Sequence, residues 1–190
     1  MLKAVTVASL LALQVPAASP EAVVETSAGS FTVRLLPELA PRHVAYFVET
    51  AETGGYDGTT FHRIIPGGII QGGDPLSRDP SLVERYGTGG LGKLEAEFSD
   101  RPMRRGSVAA VLRPGQPHSA GSQFFVCLFD QEALTGQYTI FGEVAAGMDV
   151  ADRIGQTPVE GDRPEQRVEI LSVTIRSAVA PAPDDPITPR

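Results

Sequence analysis

Two short segments of the chain concentrate side chains that could act on a substrate. The first is Phe61-His62-Arg63-Ile64-Ile65-Pro66-Gly67-Gly68-Ile69-Ile70-Gln71-Gly72-Gly73-Asp74, and the second is Pro117-His118-Ser119-Ala120-Gly121-Ser122-Gln123-Phe124-Phe125-Val126. Each sets polar groups (Arg63, Gln71, Gln123) among apolar residues that alternate as in a strand. A guanidinium in such a setting is a permanent cation with a rigid fork of donors. It suits the capture of a developing charge or lone pair and does not suit proton shuttling. The pattern alone leaves a second reading open, in which these residues form a salt-bridged or solvent-facing set.

Other chemistries fail on spacing. His43, His62 and His118 share no metal-ligand spacing and no H-E-x-x-H occurs. The single cysteine, Cys127, excludes an internal disulfide framework and any multi-cysteine zinc site. Neither a metal nor a cofactor is expected. Ser122 lies in a strand-like run and in no G-x-S-x-G elbow, so it reads as a wall residue. Gly87-Thr88-Gly89-Gly90-Leu91-Gly92 fits G-x-G-x-x-G, and with Lys93 it nearly fits a phosphate loop. Yet Leu82 to Tyr86 is too polar for the buried strand such a loop needs, and Leu94 stands where Ser or Thr would hold Mg²⁺. A glycine turn is the better reading. A nucleotide-binding protein would be stabilised by phosphate, and no such effect is expected.

The elements that must position the two segments are legible as periods. Val23 to Ser27, a turn at Ala28-Gly29, and Ser30 to Leu35 read as a β-hairpin, with Phe31, Val33 and Leu35 on one face. From Arg42 to Thr53 the apolar residues Val44, Phe47, Val48 and Ala51 mark one helix face, opened by Pro41 and stopped by Gly54-Gly55. Short apolar runs follow at 59–65, 69–71, 107–112, 123–129, 138–144 and 168–175, and a second helix is expected from Met148 to Ile154. Eight strands and two helices predict a mainly β fold, a closed eight-stranded antiparallel β-barrel capped by two α-helices. The insertion from Pro75 to Lys93 carries few apolar residues and is expected as a surface loop.

Composition agrees. Of 190 residues, 20 are Gly and 16 Pro, well above average usage, spread without a period, and so diagnostic of many turns. A net charge of −7 gives no basic field of the kind a nucleic-acid binder needs, and no nucleic-acid partner is expected. Met1-Leu2-Lys3, the apolar run Ala4 to Leu13 and the small-residue exit before Pro20 match a secretory signal peptide. Cleavage is expected after Ala17 or Ala18, with a buried N-terminal helix as the alternative, and export to a periplasm or beyond follows from the first reading. Ala178 to Arg190, with Pro181, Pro183, Pro186 and Pro189, is expected to be a mobile Pro-rich tail. The organisation is therefore an export segment at 1–20, one domain at 22–177 and a tail at 178–190.

At the two dense segments the sequence resembles the cyclophilins, a family of peptidyl-prolyl cis-trans isomerases, here in a bacterial, exported form. The motifs are F-H-R-I-I-P…Q-G-G-D at 61–74, G-S-Q-F-F-V at 121–126, and F-G-E-V with G-M-D-V at 141–150, and the likeness runs from about 23 to 176. The resemblance implies the barrel already described and a catalytic role for Arg63. It implies a proline-ring pocket from Ile69, Phe125 and Leu134, and a Gln71 that orients the arginine. Gln123 matches a substrate-contacting glutamine, Phe61 falls with the substrate-binding residues, and Tyr138 stands where other members have His. Arg113 lies near a position that offers backbone hydrogen bonds to the peptide. The implied partners are proline-containing polypeptides, acted on by a monomer.

Two departures bear on function. The aromatic residue that usually follows Pro-Gly is Gly68 here, which removes one wall of the pocket unless Tyr86 or Leu82 folds over the gap. The position often held by Trp is Ala133, which predicts weak cyclosporin binding. These losses motivate the rival reading, a proline-peptide binding module or holdase with little catalysis.

Overall fold

The computed structural model describes residues 19–176. The export segment and the tail therefore lie outside the described residues, apart from the two residues that precede the first strand. That strand, β1 (Glu21–Thr26), turns through Ser27-Ala28 into β2 (Gly29–Leu35). Gly29 has φ +122°, and the Thr26 hydroxyl donates to its carbonyl at 2.6 Å, which closes the turn. Alternation then buries Ala22, Val24, Phe31, Val33 and Leu35 on one face.

Helix α1 (Pro41–Glu52) buries His43, Val44, Phe47 and Ala51, the face that the spacing marks, with the polar His43 added. Its N-cap, Ala40, has no side chain to hold the first-turn amides. Glu97 supplies the missing acceptor from far along the chain: its carboxylate takes the amides of Arg42 at 3.1 Å and His43 at 3.0 Å. An anion at a helix N-terminus is favoured by the dipole as well as by the hydrogen bonds. Strands β3 (Phe61–Ile65), β4 (Ile69–Gly72), β5 (Ser107–Ala110), β6 (Phe124–Cys127) and β7 (Ile140–Ala146) follow. Then come α2 (Met148–Gly155), the two-residue strands β8 (Val159–Glu160) and β9 (Arg163–Pro164), and β10 (Ile170–Arg176).

Eight strands form one antiparallel sheet in the order β10-β1-β2-β7-β5-β6-β4-β3, while β8 and β9 pair separately. The expected closed barrel is corrected here: the sheet is an open, curled half-barrel. Register shifts in four ladders, at Glu25/Thr26, Thr32/Val33, Phe61/Arg63 and Val108/Ala109, bend it. The two edges meet where the segments that enter β3 and β10 cross, at a bridge between Thr60 and Glu169 and hydrogen bonds between Ile170 and Gly58 and Thr59. Closure stops there because the segment before β10 occupies the free edge of β3. Phe61 N–H donates to Val168 C=O at 2.9 Å and Ile64 N–H to Asp162 C=O at 2.7 Å.

The inner face of the curl holds the main core. Phe47 lies 5.0 Å from Tyr56, 5.2 Å from Phe141 and 5.9 Å from Phe124, ring centre to ring centre. Such tilted and edge-on rings bury large apolar areas. Helix α2 closes the opening with Val150, Ala151 and Ile154. The insertion is more ordered than the expected surface loop. It forms 3₁₀ turns at Pro75–Arg78 and Pro80–Arg85, capped by the carboxylates of Asp74 and Asp79.

Candidate active site

Register sets the site. On the outer face of the sheet Arg63 pairs with Gln71, Gln71 with Phe125, and Phe125 with Ala109, which gives one row across β3, β4, β6 and β5. The next row, Ile65, Ile69 and Cys127, runs beside it. Residues in such rows share a face because the side-chain period is two. A groove of about 730 Å³ opens over them, lined by Arg63, Ile69, Gln71, Phe125, Leu134 and Tyr138 on one side. Tyr86, Gly87, Thr88 and the 111–117 turn form the other side. The Tyr138 ring stands at 89° to Phe125 with centres 5.3 Å apart, so the apolar floor continues from strand to loop. The groove thus brings together seven of the nine residues expected from the sequence, Arg113 among them.

Arg63 is anchored on two sides. Its Nε donates to Asp162 Oδ2 at 2.6 Å and Nη1 to Gln71 Oε1 at 3.3 Å. Gln71 in turn donates through Nε2 to Gln123 Oε1 at 3.0 Å, and Gln123 donates to Gly89 C=O at 2.7 Å. All these donors point the same way along a relay from the groove into the insertion. His62 lies behind it, its Nε2 3.5 Å from Gln71 Nε2. Burial pushes the His62 pKa below its ordinary value, only partly opposed by the charge of Asp74, so the imidazole is neutral at pH 7.

Two of the expected residues lie away from the groove. Gln123 is 0% exposed. The loop at Gly89 covers it, and its side chain braces Gln71. Phe61 is also 0% exposed, held between Phe31 and Phe124 in the main core. It borders only a second, smaller cavity of about 260 Å³ beyond His62. Arg113 does line the groove, but Ser119 Oγ takes its amide at 2.7 Å and its guanidinium reaches Leu91 C=O. The Arg113 amide is therefore engaged within the turn. At Gly68 the three atoms nearest to where a side chain would begin all belong to Ile65, with neither Tyr86 nor Leu82 among them. Tyr86 instead lines the opposite wall, its hydroxyl on Asp79 C=O. Ala133 is exposed beside Leu134.

The glycine loop has its own anion. The Asp74 carboxylate, fully buried, accepts from the amides of Leu76 at 2.8 Å, Gly87 at 2.5 Å and Gly89 at 3.2 Å. A side chain at Gly89 would start 2.3 Å from that carboxylate, so the close approach demands glycine. The loop's amides serve an internal carboxylate in the way that other glycine loops serve phosphate. Ser122 Oγ donates to Gly73 C=O at 2.8 Å, as befits a wall residue. Burial raises the Cys127 thiol to about 12, which leaves no thiolate for chemistry.

Sequence reasoning missed Asp162 and Leu112 as parts of this site. A signal for the first existed: Gly161-Asp162 is a two-residue hairpin turn of a favoured type.

Known proteins are similar to this chain in sequence and in fold. The family model for cyclophilin type peptidyl-prolyl cis-trans isomerases matches residues 22–175. Peptidyl-prolyl cis-trans isomerase B of Streptomyces anulatus is 40% identical, with 82% of this chain and 96% of the relative covered. Peptidyl-prolyl cis-trans isomerase CYP18-2 of Arabidopsis thaliana is 37% identical over 82% of this chain and 93% of its own length. A Cryptosporidium parvum cyclophilin crystallised in the presence of the dipeptide Ala-Pro superposes with a TM-score of 0.75 at 27% identity, covering 83% of this chain and 99% of that one. The curled sheet, its two helices and these relatives together make the chain a member of the cyclophilin family of peptidyl-prolyl cis-trans isomerases.

Proposed function

We propose that the groove takes an extended peptide with its prolyl ring on Ile69, Phe125, Leu134 and Tyr138, and that Arg63 catalyses rotation about the preceding bond. The observation that carries this reading is the single cross-strand row in which a guanidinium, an orienting amide and an aromatic floor stand side by side. The Ala-Pro dipeptide used with the Cryptosporidium neighbour supports the substrate class.

The chemistry follows from the bond. Amide resonance gives X–Pro rotation a barrier of roughly 18–20 kcal/mol, so uncatalysed exchange takes tens to hundreds of seconds. Halfway round, the resonance is lost and the prolyl nitrogen gains a localised lone pair. A donor aimed at that nitrogen binds the twisted state better than either planar one, and this difference lowers the barrier. Of the five N–H donors of a guanidinium, Asp162 and Gln71 engage two. Three remain for the groove. The apolar floor holds the ring while the acyl side turns, and it displaces water from the hydrogen bond that forms.

The test is isomerase kinetics on an Ala-Pro peptide. Arg63→Ala and Arg63→Lys are expected to lower kcat/KM at least about tenfold with unchanged thermal unfolding, since a lysine lacks the planar fork. An unchanged rate overturns the role of Arg63. The N-terminal sequence further supports export to the periplasm or beyond and assistance to folding there, by a monomer. Detection of the mature N-terminus at residue 18 or 19 tests this. Ala133 supports weak inhibition by cyclosporin, measurable in the same assay.

A further inference from the structure

β8 and β9 make a minimal hairpin, Val159 opposite Pro164 and Glu160 opposite Arg163, with Gly161-Asp162 at its tip. Gly161 has φ +67°, a left-handed residue leading a two-residue turn, which matches the twist of the arms. The hairpin is docked at both sides. Arg163 pairs with Glu84 of the insertion at 3.1 Å. Ile64, the residue after Arg63, donates its amide to the carbonyl of Asp162 itself at 2.7 Å. The backbone of Asp162 is therefore tied to the strand that carries Arg63, and its carboxylate is delivered to Nε at 2.6 Å by that tie.

We propose that Asp162 is a positioning residue for catalysis: it fixes the rotation of the Arg63 guanidinium so that the free Nη donors face the prolyl nitrogen. This rests on the role given to Arg63 above. Two effects of the carboxylate oppose each other. It orients the guanidinium, and its negative charge weakens the pull of that group on a lone pair. The side chains of Arg63 and Asp162 are 41% and 56% exposed, so water and salt screen the charge effect. Orientation rests on the short hydrogen bond and on the backbone tie of Asp162 to β3, which screening weakens less than it weakens the longer-range charge effect. The other anchor, Gln71, holds one Nη at 3.3 Å and leaves the plane of the group free to turn about that contact. Misplaced donors lose near-attack geometry, and the loss falls on the transition state.

Asp162→Ala is expected to lower kcat by about three- to tenfold with KM unchanged, the signature of an interaction realised only in the transition state. Asp162→Asn keeps an acceptor for Nε–H and is expected to recover most of that loss. The Arg63 Nε–H resonance in ¹⁵N-labelled protein is expected to be sharp and slowly exchanging in wild type and Asp162→Asn, and broadened in Asp162→Ala. A kcat in Asp162→Ala equal to or above wild type overturns the proposal, as does a loss confined to KM or one equally large in Asp162→Asn. If wild type shows no isomerase activity, the reading of Arg63 fails instead. The resonance then reports the pair by itself, and an unchanged signal in Asp162→Ala overturns the anchoring.

Discussion

Phe124 and Phe125 are neighbours on β6, and the pleat sends them to opposite worlds. Phe124 enters the inner face, where Phe47, Tyr56 and Phe61 surround it with ring centres 5.8–5.9 Å away. Phe125 enters the outer face, where Tyr138 covers one edge and the rest of the ring floors a groove beside Gln71 and Arg63. The inner face is defined by volume: any set of apolar groups that fills it keeps the sheet curled. The outer face is defined by direction, because its polar groups work only when each donor meets its acceptor. Stability and catalysis are thus written on the two sides of one strand.

The sharpest way to break that comparison is to truncate each ring. Phe124→Ala is expected to cost about 3–5 kcal/mol in urea unfolding, since the surrounding rings cannot collapse into the space. Its activity per folded molecule should stay near wild type. Phe125→Ala is also expected to cost about 3 kcal/mol, because the ring is buried in a second apolar cluster with Met103, Ala109 and Ile140. Its kcat/KM should fall at least about tenfold. Equal losses of activity per folded molecule in the two variants would erase the distinction.

A smaller effect comes from pH. His43 sits under α1 with Nδ1 2.6 Å from Glu97 Oε2, and His62 lies behind the groove. Burial pushes both imidazoles below 6.5, more strongly than the Glu97 hydrogen bond pulls His43 back up. The unfolded chain therefore binds more protons than the folded one below about pH 6.5, and stability rises with pH through that region. It is fully present above 6.5 and is lost on acidification. Glu97 acts in the same direction lower down. Burial raises its pKa, but hydrogen bonds from His43 and Arg42 outweigh this and hold it below the ordinary value. Urea midpoints at pH 7.5, 6 and 5 are expected to fall in that order, while kcat/KM stays flat between about pH 6 and 8, since a guanidinium as the catalytic group involves no proton exchange. A bell-shaped rate profile would point to a histidine in the chemistry. The smallest effect concerns Cys127, whose raised pKa and burial predict no alkylation by iodoacetamide until the protein unfolds.

What the sequence made legible follows the same division. Inner-face residues such as Phe31, Val33, Phe47 and Ala51 repeat at periods of two or of three and four, so local spacing finds them. Arg63, Gln71 and Phe125 were legible through their motifs, and strand register then placed them in one row. Contacts made at long range left no period. Gln123 is buried by a carbonyl 34 residues earlier, α1 is capped by a carboxylate more than 50 residues later, and Asp162 meets Arg63 across 99 residues. The missing closure of the barrel has the same origin, since strands of two residues, β8 and β9, are too short for alternation to register.

The rim of β3 has a further consequence. An enzyme that handles extended polypeptides meets many segments able to add themselves as strands to any sheet with a bare edge. Here the outward amides of Phe61 and Ile64 already donate to Val168 and Asp162. A client that reaches the groove finds these two donors of β3 already taken, so the segment that leaves the barrel unclosed also covers that rim against strand addition.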